Sequence, residues 1–243
     1  MPSDPFSAYS HLIGFVAFAI LTVPLVKRAR ANRAHPFGTA VFAASTLVLL
    51  GASTLFHTLP HNTPAGDIAR RLDHAAIFVL IAGTFVPIHL LLFRGILRWG
   101  ILVVIWVCAG VGIALKLVYF DSIPGWLHVM AYVGMGWLGA IGGAFAVHRR
   151  GVRFMAPIGV AAVAYTGGAM LELAGWPVIG AGLGPHEVFH VGVLVGLGAF
   201  WVFIWRLAGG NAEPVWWRAE VKPVARVAPI ETTTIEDGTE AAA

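Results

Sequence analysis

Two histidines four residues apart, in HEVFH (186–190), are the residues of this 243-residue chain best suited to chemistry. Four residues are slightly more than one helical turn. On a helix, His186 and His190 therefore project from one face and can hold one metal ion. Neutral imidazole is a common zinc ligand. Ser53 and His57, in STLFH, have the same spacing, and His57 can supply a third nitrogen. Three nitrogens and a water make the open tetrahedral site expected of catalytic zinc, whereas a structural site is closed by protein ligands. Asp73 can hydrogen-bond that water and accept its proton, because zinc lowers the water's pKa towards ~7. Ser53 can stabilise a developing oxyanion or orient a substrate carbonyl.

The elements that must position these residues are membrane helices. Hydrophobic residues make up 58% of the chain and charged residues only 12%, against about 25% charged in a soluble domain. A typical cytosolic enzyme and a disordered chain are excluded on that ground. A nucleic-acid partner is excluded as well: the net charge is +4 and the basic residues sit in short clusters between apolar runs. The single cysteine, Cys108, lies within an apolar run and forms no disulfide framework. The 29 glycines and 9 tryptophans suit close helix packing and interfacial anchoring.

A spanning helix needs about 20 apolar residues. Seven runs qualify: Tyr9–Val26, Pro36–Leu59, Leu72–Phe93, Trp99–Phe120, Pro124–Val147, Phe154–Gly175 and His186–Leu207. The expected fold is all-α, a polytopic membrane protein with a seven-helix transmembrane bundle. It has a short N-terminal segment (1–8), a transmembrane domain (9–207) and a disordered tail (208–243) rich in Pro, Thr, Glu and Ala. In the tail, Trp216, Trp217 and Arg218 are expected near the headgroups. The N-terminus lacks the basic region of a signal peptide, so the first span should be retained. Pro24, Pro87 and Pro157 should kink their spans. The GxxxG pairs Gly139/Gly143 and Gly192/Gly196 are expected at helix contacts.

Most basic residues fall on the side away from the N-terminus: Lys27, Arg28, Arg30, Arg33, Arg94, Arg98, Arg149, Arg150, Arg153 and Arg206, then Arg218, Lys222 and Arg226 in the tail. Arg70, Arg71 and Lys116 lie on the other side. The positive-inside rule makes the C-terminus cytoplasmic, in a plasma (inner) membrane. Ionisable groups inside a membrane are costly and usually functional. Here Ser53, His57, Asp73, His74, Lys116, His128, Glu172, His186, Glu187, His190 and His11 gather at the N-terminal-side ends of their spans. They imply one polar chamber near the exoplasmic leaflet, open outwards or sideways into lipid. Glu172 is read as a structural partner of Lys116, with lining of the substrate entrance as the alternative, and His74 as an outer or interface residue. His11, His61, His89, His128 and His148 are read as interfacial.

The runs ASTLFHTLP (52–60), RRLDHAAIFVLIAGTFVP (70–87) and GPHEVFH (184–190), with SHLIG near His11, resemble the signatures of the hemolysin III family. That family is grouped with the adiponectin and progestin receptors (PAQR proteins) and, more distantly, the alkaline ceramidases. The resemblance covers residues of about 8 to 207, with three motifs in order, which is far more specific than any one motif. It implies seven helices, zinc on three histidines matching His57, His186 and His190, and a serine and an aspartate matching Ser53 and Asp73. It also implies ceramidase-like chemistry or receptor signalling. The adiponectin receptors are described with a cytoplasmic N-terminus, opposite to the orientation that the charges favour here.

Three functions follow. The first is a zinc-dependent hydrolase of a lipid amide or ester, with a membrane lipid as substrate. The second is a non-enzymatic receptor, pore-forming or lipid-homeostasis protein with structural zinc. The third takes HEVFH literally as the HExxH of a metalloprotease with Glu187 as base. No acid or histidine follows His190 within the bundle to complete such a site.

Overall fold

Several of the helices begin at a proline, whose fixed φ suits a first turn and whose missing N–H would have had no partner there. In the computed structural model, which describes residues 2–180 and 183–211, these are α1 (Pro5–Ala31), α2 (Pro36–Thr58), α3 (Pro64–Leu92) and α8 (Pro185–Arg206). Thr63 caps α3, its hydroxyl accepting the Gly66 N–H at 3.1 Å. The remaining helices are α4 (Gly95–Val118), α5 (Gly125–Trp137), α6 (Ala140–Arg150) and α7 (Val152–Leu173). α5 and α6 are halves of one apolar stretch, so seven spans result among the described residues. The all-α, seven-span architecture expected from hydropathy is the one observed.

The ends differ from the hydropathy reading in instructive ways. α1 begins at Pro5 rather than Tyr9, and α3 at Pro64 rather than Leu72. The roughly two added turns of α3 carry Asp67, Arg70 and Arg71, so they continue the helix beyond the apolar stretch. Hydropathy reports only the part that lies in hydrocarbon. The fifth span is interrupted at Leu138 and Gly139. Pro24, Pro87 and Pro157 lie inside α1, α3 and α7. Leu207–Asn211 add one wider helical turn after α8. The rest of the expected tail, including Trp216, Trp217 and Arg218, lies outside the described residues.

The helices form a ring in sequence order. α1 packs on α2 and closes on α8, α2 on α3, α3 on α4, and α7 on α8, while α5 touches α3, α4 and α7. α3 runs innermost: 78% of its most apolar stretch is buried, against 22% for α1. One apolar cluster joins Leu25, Phe42, Leu50, Leu197 and Ile204. A second joins Phe78 and Phe85 of α3 to Leu102, Ile105 and Met135. The outer faces remain apolar, with Ile13, Ile20, Val103, Val107 and Val163 exposed. That is the surface lipid requires, since backbone polar groups are satisfied within the helices. Gly192 and Gly196 seat α8 against α7: a Cβ would fall 2.9 Å from the Ala164 carbonyl oxygen and 2.5 Å from the Tyr165 ring. Gly143, by contrast, faces open space.

Candidate metal centre

Alternating helix directions bring the end of α2 beside the start of α8. His57 lies in the last turn of α2 and His186 in the first turn of α8. The end of α7 and the cap of α1 reach the same level. The Nε2 atoms of His57 and His186 are 3.4 Å apart, and those of His186 and His190 are 3.0 Å apart. The three imidazoles expected to share an ion thus converge, with ligand atoms all within 4.8 Å of one another. His57 and His190 are 1% and 3% exposed.

The other ring nitrogens explain why this arrangement suits a cation. His57 Nδ1 is 2.8 Å from Asp4 Oδ2, and His186 Nδ1 is 2.8 Å from Glu172 Oε1. A carboxylate accepts only, so each Nδ1 carries the proton and each Nε2 is left as a bare lone pair. Two such lone pairs facing each other at 3.4 Å repel unless something electrophilic lies between them. Nitrogens about 2.0–2.1 Å from a tetrahedral ion are roughly 3.3–3.4 Å apart, close to the spacing observed. The donor set therefore fits a divalent ion. Carboxylates behind metal-binding histidines fix the ring and raise its basicity.

Asp4 and the role of Glu172 were not visible in the sequence. Asp4 is tied to α2 twice, since its N–H also donates to the His57 carbonyl at 3.1 Å. Ser3 Oγ adds a bond to the Leu59 carbonyl at 2.8 Å. Asp4 Oδ2 further contacts His61 Nε2 at 3.1 Å. Glu172 pairs with His186 rather than with Lys116, which corrects the expectation above. The available signal was an acid inside an apolar span, but choosing its partner required the helix rotations. Asp4→Ala and Glu172→Ala should each weaken divalent-ion binding about 10–100-fold in a chelator competition titration. Unchanged affinity in both would show that the two carboxylates do not support the site.

Asp73, 8% exposed, and Ser53, 1% exposed, lie within hydrogen-bonding reach of each other beside this cluster. His11, expected to be interfacial, is buried against His190 with ring centroids 4.0 Å apart. His74 Nδ1 is 2.8 Å from the Arg70 carbonyl and donates to it. Glu187 is occupied elsewhere: its Oε2 accepts the Gly184 N–H at 2.8 Å, satisfying a backbone donor at the start of α8.

Ser53, Asp73, Glu172, His186 and His190 all line one cavity of about 770 Å³. Its lining extends along α3 from Arg70 to Phe93, a path of roughly 35 Å at 1.5 Å per residue. That is close to the ~30 Å thickness of bilayer hydrocarbon. Leu80, Ile81, Ile88 and Leu92 line the part away from the histidines.

Residues 1–201 match the profile described as "Haemolysin-III related". The chain belongs to the haemolysin-III-related family. "Hemolysin-3" of Bacillus cereus is 34% identical over 136 residues, covering 54% of this chain and 60% of that protein. "Hemolysin-3 homolog" of Bacillus subtilis (strain 168) is 39% identical over 98 residues, covering 40% of this chain and 45% of that protein. "Adiponectin receptor protein" of Drosophila melanogaster is 33% identical over 84 residues, 32% of this chain and 18% of the receptor. The chain thus spans about half the length of the bacterial relatives it matches. With seven apolar helices, this haemolysin-III-related protein is an integral multi-pass membrane protein.

Proposed function

We propose that this protein is a metal-dependent hydrolase of a lipid amide or ester bond, with zinc as its metal. The reading is carried by three converging Nε2 atoms, two of them backed by carboxylates, at the end of a long lipid-sized cavity whose wall includes His186 and His190. His57, His186 and His190 would hold the ion. Three nitrogen donors with no carboxylate in the same cluster favour an open position over a closed structural site. When bound, such an ion supplies electrophilic activation of a carbonyl oxygen and acidification of water.

The chain's own residues do the rest. The apolar stretch of the cavity along α3 holds an acyl chain and brings its carbonyl to the histidine end. Asp73 takes the proton from the attacking water at a carboxylate oxygen and returns it to the leaving amine or alkoxide. Ser53 donates its hydroxyl to the Asp73 carboxylate before the reaction and, once Asp73 has taken the water's proton, to the carbonyl oxygen on which negative charge develops. Asp4 and Glu172 keep the ring nitrogens of His57 and His186 that face each other free of protons. We assign the centre to the exoplasmic side, on the asymmetry of the basic residues.

The metalloprotease reading is not favoured, because Glu187 is engaged in capping its own helix. Purified protein, metal-loaded or chelator-stripped, would be incubated with labelled ceramides, acylglycerols and phospholipids. Turnover of at least one amide or ester, lost on stripping and restored by zinc, is expected. If no lipid is cleaved and zinc only raises the unfolding temperature, the site is structural and the hydrolase reading fails.

A further inference from the structure

Lys116 is not used by the chemistry above, and its surroundings are unusual. It lies in the last turn of α4, is 1% exposed and lines the same cavity as Asp73. Its ammonium sits 4.3 Å from the centroid of the Phe120 ring and 5.7 Å from that of Tyr132. Arg70 and Arg71 lie over the same Phe120 ring, at 4.4 and 5.4 Å. Three cations therefore converge on one aromatic ring.

The acids nearby are committed to other groups. Asp121 binds both arginines, through Oδ1 to Arg70 at 3.1 Å and through Oδ2 to Arg71. Asp67 binds Arg70 at 3.1 Å, and Glu172 binds His186. Asp73, the nearest remaining acid, lies 4.0 Å from His74 Nδ1 and acts on Lys116 through space, without a direct ion pair. His74 and His128, neighbours of Lys116, add no negative charge. Among the described residues Lys116 has no hydrogen-bonded or ionic partner. A buried ammonium without a directly paired counter-charge is unfavourable, and Phe120 and the unpaired Asp73 carboxylate compensate only in part. A bound anion would supply what the protein does not.

We propose that Lys116 forms an anion subsite at the histidine end of the cavity, for the phosphate or carboxylate group of an amphiphile whose chain lies along α3. This deepens the lipid-hydrolase reading and rests on its assignment of the cavity to a lipid. The site would select negatively charged amphiphiles over uncharged ones of equal chain length. Lysine serves here as a compact point charge that accepts either anion. Phosphate and carboxylate share that chemistry, and the experiment separates them.

Trp126 and Trp137 also line the cavity, so their fluorescence can report occupancy. Three amphiphiles with the same brominated acyl chain would be titrated into the full-length protein in uncharged detergent. One carries a glycerol phosphate head, one a free carboxylate and one an uncharged glycerol head. A chelator is present throughout, so that attraction to a metal does not contribute. Wild-type protein should bind at least one anionic form about tenfold or more tighter than the uncharged form, as a charge-assisted hydrogen bond would give. The anion preferred identifies the head group.

In Lys116→Met, whose side chain is similar in length and apolar, the preference should shrink to within about twofold, since a lost partner charge is the only change. Lys116→Arg should keep it, and Lys116→Gln serves if the Met variant does not fold. A wild-type protein that binds all three equally overturns the anion subsite and leaves the hydrolase reading standing. Retained preference in the folded Met or Gln variant also overturns it. If none of the three quenches tryptophan, the cavity is not a lipid site and both readings fall.

Discussion

Purified His190→Ala protein should contain essentially no zinc after desalting, whereas the wild type should retain about one ion per chain. His190, 3% exposed, brings the third nitrogen to the pair formed by His57 and His186. Its Nε2 lies 3.0 Å from that of His186 and its ring packs on His11. Removing one of three ligands must weaken binding by more than the roughly 10–100-fold expected when only a supporting carboxylate is lost. Turnover of any lipid substrate should fall to background with it. Deleting the ring also leaves a void beside His11, so circular dichroism and thermal unfolding must accompany the metal analysis. A folded His190→Ala protein with full zinc content would disprove the three-histidine site.

Asp73→Asn should behave in the opposite way with respect to metal. The substitution keeps the shape of the side chain and its reach to Ser53, but removes the ability to accept a proton at physiological pH. Zinc content should therefore remain near that of the wild type, while turnover falls about 10²–10⁴-fold, the range expected for loss of a general base. The pairing of outcomes is what makes the experiment informative. If zinc is lost as well, Asp73 is a ligand rather than a base. If turnover is unchanged, the base assignment fails even though the metal site survives.

These two results would divide the site along the same line as the chain itself. The histidine set was legible because spacing of four on a helix is a local property. HEVFH and STLFH each announce one face, whatever the helices pack against. Convergence of His57 with His186 needed one further step. Counting spans places the end of α2 and the start of α8 on the same side of the membrane.

The seven spans were determined by the sequence for a similar reason. An apolar run of about 20 residues in lipid must satisfy its own backbone hydrogen bonds, and a helix does so without help from neighbours. The family signature added the order of the motifs. Local rules were weaker at helix ends, where α1 and α3 extend outward through residues that hydropathy counts as polar.

What only the tertiary structure decided depends on how each helix is rotated about its axis. The sequence is equally compatible with Glu172 facing Lys116 or His186, and the packing of α7 on α8 selects His186. Asp4 lies outside every apolar run, yet it is placed behind His57 by the way α1 starts against the end of α2. Glu187 looks like a catalytic base in the motif, but its side chain closes the first turn of its own helix instead. Lys116 was read as a partner of Glu172, but its burial over Phe120 leaves it without a hydrogen-bonded or ion-paired partner among the described residues. Each of these outcomes turns on distances of a few ångström between elements far apart in the chain, which residue type and periodicity do not encode.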